Sequence, residues 1–396
     1  MNHRIISIQT YEHVGALPHR MPSMIRPSRK PHTPQETGRR TTKMVTLKDV
    51  AAKAGVSPST ASGALRRLSY VRPETAERVL KAAQDLNYST NLSARALRSG
   101  RTGIFSLVIP TVDIPFYGRL VTAMETSIER HGYQLIIQQT RFEADRERQL
   151  IAQSDDTLSE GMFLLAAKTD SREVARLAGD HPTVMFEDYS TDIVIDSVNA
   201  PSTGGIDRAI CHLVGRGRTR ICVAGATIPL HAMADVSSSS RARYERARSA
   251  VNAFDELGIS GDCGAIDCDW GANGGTDVGH RIADTATGWS NDGRPKGLRY
   301  DAVCCMNDDI ALGVLRGLAD RGVRVPEDVA VTGFDGIPQG EWSVPGLTTI
   351  ALDYEGMAET AVAMMLRKFG DNPVSMPQRV IAGFRLIERG STAVSQ

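Results

Sequence analysis

The chain has 396 residues with 46 Lys+Arg against 46 Asp+Glu, so taken whole it carries no formal charge that would attract a polyanion. It has no run of about 18 apolar residues, which excludes a membrane-spanning helix, and no apolar stretch near its start that reads as a signal peptide; a cytoplasmic protein is expected. Split at Arg101 the balance changes: residues 1–101 hold 18 basic and 6 acidic side chains, and the other 295 hold 28 and 40. That asymmetry marks a polyanion-binding head on an acidic body.

In chain order, residues 1–44 carry five prolines and no sustained apolar periodicity, which predicts a disordered basic extension. Met44 stands directly before the first helical segment and is a candidate for the true start. The intact mass of protein made from its natural locus checks this, and a mass matching residue 1 refutes it. Leu47, Val50, Ala51 and Ala54 then recur at helical spacing and give one apolar face. Thr46 with Asp49 three residues on reads as a shortened capping box. Gly55 sits where the chain leaves the helix with positive φ. Ser57 caps a second helix whose first residue is Pro58, where a missing amide hydrogen costs nothing. Two short helices around a tight turn are the shape that lays a helix in a DNA major groove. Pro73 opens a third helix with a buried stripe of Ala76, Val79, Leu80, Ala83 and Leu86, ended by Asn87-Tyr88. This head spans 45–90. Residues 91–101 follow as a short basic linker that cannot be a stable helix by itself.

From Gly103 the pattern turns to strand and helix in alternation. Ile104–Ile109, Leu135–Gln138, Met162–Ala167, Val184–Phe186, Ile221–Ala224, Ala302–Met306 and Val329–Thr332 read as short buried strands. Helical segments lie at Tyr117–His131 and near 203–214, 241–257, 275–285 and 309–321, with Ser237–Ser240 as a mobile loop. Such alternation predicts parallel sheets covered on both faces. The 295 residues exceed one core, so 102–396 should form two α/β lobes. Ligands in such sheets bind beyond the carboxyl ends of the strands. Glu187, Asp188, Asn307, Asp308 and Asp335 fall at those ends.

Catalytic chemistry finds little support. Cys263 and Cys268, and the adjacent Cys304-Cys305, lack zinc spacing with nearby histidines; with Cys211 and Cys222 they read as reduced core or loop residues. The acidic pairs Asp155-Asp156 and Asp308-Asp309 have no positioned partner, the first lying in a polar helix. Gly271, Gly274, Gly275 and Gly279 form no phosphate-binding fingerprint after a strand. No enzyme, cofactor or metal is expected.

A series of motifs recurs in order through the chain: Thr46-Leu47-Lys48-Asp49-Val50-Ala51, Ala54-Gly55-Val56-Ser57, Thr60-Ala61-Ser62, Asn91 with Ala94-Arg95 and Leu97, Asn307-Asp308 before Ala311-Leu312-Gly313, Val325-Pro326-Glu327-Asp328-Val329, Gly333-Phe334-Asp335, Leu347-Thr348-Thr349-Ile350 and Arg389-Gly390-Ser391-Thr392. By these the chain, over 45–396, resembles the lactose/galactose repressor family of bacterial transcription regulators. The resemblance implies a repressor whose helix-turn-helix head reads double-stranded operator DNA. Its linker becomes a hinge helix on DNA, and its body, similar to a periplasmic sugar-binding protein, closes on a small effector. A homodimer is implied; no leucine heptads follow the body to build a tetramer. Leu97 matches the leucine that wedges into the minor groove, and such a wedge unstacks and kinks DNA. The implied DNA-facing set is Thr46, Ser57, Pro58, Ser59, Thr60, Ser62, Gly63, Arg66, Arg67 and Tyr70, with Asn91, Ala94, Arg95 and Leu97 in the linker. Gly63 departs from the family's usual arginine and removes a bidentate guanine contact worth about 1–3 kcal/mol of discrimination. Thr90 stands where proline is common.

For the effector, Arg246 matches the family's ligand-gripping arginine, followed by Ser249-Ala250 where a glycine–aromatic pair is usual. An arginine in a cleft forks onto hydroxyls or a carboxylate. Asn307, Asp335 and Glu187 match polar contacts, Trp270 is placed to stack on a sugar ring, and Phe116 lies in the first βα loop. Pro201-Ser202 stands for the usual Asp-Asn pair. A sugar or similar polyol is the first reading, with a nucleobase or sugar phosphate behind it. Inducer is the commoner sign, and the sequence does not choose between inducer and corepressor. The rival is a sugar-binding or sugar-processing protein on the same lobes without DNA regulation. An exported binding protein would need a signal peptide and no helical head, and an enzyme would need a base or nucleophile with a partner in reach.

Overall fold

A computed structural model describes residues 45–65, 70–86, 88, 101–154, 159–227, 238–291, 295–370 and 376–393. The chain divides into two compact units, 1–90 and 91–396. The extension 1–44, the linker residues Asn91, Ala94, Arg95 and Leu97, and Thr90, Arg66, Arg67, Asn87 and Asp155-Asp156 lie outside the described residues.

The first unit is three helices: α1 (Leu47–Ala54), α2 (Pro58–Leu65) and α3 (Pro73–Asp85). Both halves of the capping box form at α1: the Thr46 hydroxyl accepts from the Asp49 amide, and the Asp49 carboxylate accepts from the Thr46 amide at 2.8 Å. Gly55 closes the helix at φ 64. The Ser57 hydroxyl accepts from the Thr60 amide at 3.1 Å and opens α2 at Pro58. Val50, Ala51, Ala54, Ala61, Ala64, Val79, Ala82 and Ala83 make the core. The expected stripe on α3 needs one correction: Leu80 is 42% exposed and Ala82 is buried in its stead. Residue 80 is rotated away from the face formed by 79, 82 and 83, and two short helices cover only that face.

The second unit contains two lobes. In the first, β1 (Ile104–Ile109), α4 (Pro115–Arg130), β2 (Gln134–Gln139), α5 (Ala144–Ala152), β3 (Met162–Leu165), α6 (Ser171–Ala178), β4 (Thr183–Phe186) and β5 (Asp196–Asn199) follow in order. The chain then crosses to the second lobe: α7 (Ser202–Gly215), β6 (Ile221–Ala224), α8 (Ser238–Glu256), β7 (Gly264–Ile266), α9 (Ala272–Ala283), a hairpin of β8 (Gly288–Trp289) and β9 (Pro295–Lys296), β10 (Ala302–Cys305), α10 (Asp308–Asp320), β11 (Ala330–Asp335), α11 (Gln339–Trp342) and β12 (Thr348–Leu352). It returns for α12 (Tyr354–Arg367) and β13 (Arg379–Ile381), and crosses a last time into β14 (Phe384–Ile387). The strand orders are β13-β5-β4-β3-β1-β2 and β14-β12-β11-β10-β6-β7.

Every neighbour pair in the first sheet is parallel. The second sheet departs from the all-parallel expectation at one edge, because β14 pairs antiparallel with β12. It enters directly from the other lobe, without the crossover helix that a parallel strand requires. Ser238–Ser240 belong to α8, where the sequence predicts loop. The three crossings are tied together: the Ala382 amide donates to the Asn199 carbonyl at 2.8 Å and the Asp353 amide to the Gly383 carbonyl at 3.0 Å. They form the joint between lobes.

Gly275, Gly279, Gly313 and Gly317 gain a purpose here. A Cβ on Gly279 would stand 2.7 Å from the Val314 carbonyl, and Gly275, Gly313 and Gly317 face the opposing backbone as closely. Backbone therefore meets backbone between α9 and α10, which locks the pair at close range. No helix among the described residues is long and apolar enough to cross a membrane.

Candidate functional site

The head presents the first half of α2 outward. Ser57, Pro58 and Ser59 are exposed, Thr60 and Ser62 half-buried, and Gly63 buried. The Ser57 hydroxyl bonds the Ser59 and Thr60 hydroxyls at 2.8 and 2.9 Å, so these short side chains form one polar patch. Thr46 is exposed and caps α1. Tyr70 is exposed beyond α2, with its ring over Gly63.

The body gathers all six residues that the sequence singles out for an effector into one cluster between the lobes. Arg246 comes from α8 and is 4% exposed. Its Nη1 donates to the Met306 carbonyl, its Nε to the Ser202 hydroxyl at 3.3 Å, and its Nη2 stands 3.9 Å from the Asp335 carboxylate. The guanidinium lies 3.8 Å from the centroid of Phe334 and 5.5 Å from that of Trp270. It is therefore no solvated helix face, although it stands among other arginines. Trp270 donates its indole N–H to the Gly225 carbonyl at 2.8 Å, which fixes the ring plane. Asn307 caps α10 through its Oδ1, accepting from Ile310, and turns its Nδ2 to the Trp270 carbonyl at 3.4 Å.

Glu187 follows β4 at φ 59, and Asp335 ends β11 at φ 119. Non-glycine residues held in that region store strain, and such residues concentrate at ligand clamps. Glu187 accepts from the Ala200 amide at the first crossing and from the Tyr189 hydroxyl at 2.7 Å. Tyr189 in turn bonds the Ser202 hydroxyl at 2.7 Å. A continuous path thus runs from Arg246 on the second lobe through Ser202 and Tyr189 to Glu187 on the first. Phe116 meets Tyr117 edge-on (5.2 Å) and Tyr354 at a tilt (5.9 Å), and the Tyr354 hydroxyl donates to the Asp335 carbonyl at 3.1 Å.

The electrostatics favour carboxylates over cations. Arg246 is the one buried Lys or Arg among the described residues. Burial pushes the Asp335 carboxyl well above the usual carboxylate range; Arg246 opposes this, while Asp308, Asp309 and Glu187 reinforce it. Burial likewise raises the Tyr117 and Tyr189 phenols, with Glu187 adding to both. Sequence reasoning missed Tyr117, Tyr189 and Phe334. Tyr189 was marked only by its place two residues beyond a strand-end acid, and Phe334 by its place inside Gly333-Phe334-Asp335. Ser202 was noticed as a departure and proves to be the joint of the network. Asp308 has the partners that the sequence could not show: its carboxylate accepts from the Thr349 hydroxyl at 2.6 Å and the Ile337 amide at 2.8 Å. Ser249 donates to the Thr203 carbonyl at 2.7 Å and ties α8 to α7. The thiols of Cys222, Cys304 and Cys305 are buried and pushed up by burial, whereas Cys211 is exposed on α7.

A helix-turn-helix head joined to a two-lobed body with a polar, aromatic-lined cluster between the lobes defines a DNA-binding regulator gated by a small molecule. Residues 46–91 match the model of bacterial regulatory proteins of the lacI family, and 210–392 match the periplasmic binding protein-like domain. The ribose operon repressor of Escherichia coli K12 is 30% identical over 356 residues, covering 88% of this chain and all of the relative. The repressor PurR of Vibrio vulnificus is 27% identical over 333 residues, covering 83% and 93%. A solved Lac repressor dimer, bound to operator and the anti-inducer ONPF, superposes at TM-score 0.70 with 22% identity, covering 89% of this chain and all of that one. The chain belongs to the lacI family of bacterial regulatory proteins. It is a DNA-binding transcriptional repressor with a small-molecule effector, not an enzyme.

Proposed function

We propose that two copies of this chain hold a pseudopalindromic operator and that a neutral sugar or sugar-like polyol, entering beside Arg246, releases it. The observation that carries the effector class is the composition of the cluster: one arginine, the carboxylates Glu187 and Asp335, the amide Asn307, and the ring of Trp270. Forked donors and carboxylate acceptors pair with the vicinal hydroxyls of a sugar, and an indole face takes its apolar side. Arg246 is the one buried cation among the described residues and is already engaged by Met306, Ser202 and Asp335, which places a sugar phosphate behind a neutral polyol. The likeness to a ribose operon repressor points the same way, and a nucleobase stays the second reading.

Head and linker supply the DNA contacts: the polar patch of α2 with Thr46, Arg66, Arg67 and Tyr70, then Asn91, Ala94, Arg95 and the wedge Leu97. Calorimetric titration of the full chain with neutral pentoses and hexoses, nucleobases and sugar phosphates tests the effector reading. A neutral sugar should bind and Arg246→Ala should lose it. Binding confined to nucleobases or phosphates contradicts the reading.

A further inference from the structure

The exposed face of α2 is poor in groups that can read a base. Its eight residues, Pro-Ser-Thr-Ala-Ser-Gly-Ala-Leu, include no charged side chain. The hydroxyls of Ser57, Ser59 and Thr60 spend hydrogen bonds on one another. Gly63 sits inside the helix without a positive φ, so the backbone does not call for glycine there, and glycine in a helix interior costs about 1 kcal/mol against alanine. Space is the reason. A Cβ on residue 63 would lie 2.5 Å from the Tyr70 hydroxyl oxygen and 2.9 Å from the ring carbon that bears it. Tyr70 is nevertheless 70% exposed. Its phenol therefore stands where a side chain of residue 63 would leave the helix, one face on the helix and the rest open.

From this juxtaposition we infer that Tyr70, seated across Gly63, is a specificity-determining residue of the head and supplies the base-reading group that residue 63 lacks. The inference rests on the reading that α2 enters the major groove. A phenol is one donor and one acceptor, and its ring edge is apolar. It can make a single hydrogen bond to a base edge and touch a thymine methyl, but it cannot fork onto guanine as an arginine does. Recognition at this position is thus monodentate, at one base pair of each half-site, and glycine at 63 is the seat that makes it so.

The test uses the full chain. Duplexes are selected from a randomised pool with wild type, and each base pair of the half-site is then varied for wild type, Tyr70→Phe and Gly63→Ala. Tyr70→Phe keeps the ring and removes only the hydroxyl. It should bind the selected duplex about tenfold more weakly, flatten the preference at one base pair per half-site, and leave the salt dependence unchanged. Gly63→Ala, whose Cβ takes the place of the hydroxyl, should flatten the same base pair without lowering the melting temperature of the head. Equal weakening on every duplex with a shallower salt slope marks a phosphate contact and overturns the inference; so does unchanged binding by both variants. A wild-type chain that selects no duplex overturns the groove reading itself, which the variants alone cannot do.

Discussion

Arg246 shows how one side chain acquires a role through what surrounds it. With its guanidinium held by Met306 and Ser202, stacked on Phe334, and drawn to Asp335, it is fixed before any ligand arrives. Fixed donors bind with less loss of side-chain freedom than mobile ones. Arg246→Ala should abolish the effector response while leaving operator affinity within about twofold of wild type, read by anisotropy with and without sugar. Asp308 gives a residue-scale prediction with a sign. Burial outweighs its hydrogen-bond donors and pushes its carboxyl up to about 7. The native state then binds more protons than the unfolded chain between the ordinary carboxylate range and that value, so this group's contribution to stability falls as pH rises from about 4 to about 7. Asp308→Asn mimics the neutral acid and should remove that slope from melting curves taken across the window. Asp308→Ala should cost about 2–4 kcal/mol at acidic pH by stranding the Ile337 amide and the Thr349 hydroxyl. At this scale the strand-end polar residues were legible, because a polar residue closing an apolar run stands out. Ser202, Tyr189 and Phe334 were not, since their roles arise from lobes that meet only after the chain has crossed.

At the scale of elements, local chemistry made the head readable. Thr46, Asp49, Gly55, Ser57 and Pro58 each fix a boundary by capping or φ, independent of tertiary packing. Thr46→Ala should cost about 1 kcal/mol of head stability by thermal unfolding. The short strands behaved otherwise. Asp196–Asn199 reads Asp-Ser-Val-Asn and carries no apolar run, yet all four residues are buried because β4 and β13 flank them. β7 and β14 are equally brief edge strands, which periodicity cannot separate from loop. The glycines of α9 stand out in the sequence and form no phosphate loop, but only the packing of α9 on α10 shows their use. Gly313→Ala sets a methyl against the Ala272 carbonyl and should destabilise the body by about 2–3 kcal/mol, a drop of several degrees in its melting temperature. A variant that melts with wild type would show that the helices can part without loss.

At the scale of the whole molecule, the alternation of strand and helix predicted the two α/β lobes, whereas the three crossings and the antiparallel edge follow from connectivity that no local pattern records. The crossings matter for regulation. Glu187 binds the backbone of the first crossing, and Ser202 opens the helix just after it, so the candidate ligand residues are bonded to the joint between lobes. A ligand that reorders them alters the lobe angle, and an operator that prefers one angle then opposes or favours the ligand reciprocally. Such couplings are typically about 1–3 kcal/mol. The most direct measurement is footprinting of the full chain on DNA flanking its own gene, titrated with neutral sugars. The expected result is a protected pseudopalindrome with half-sites about one helical turn apart, weakened about 5- to 150-fold by one sugar and unmoved by it in Arg246→Ala. Protection of a single asymmetric half-site, or equal affinity with every compound tried, would contradict it.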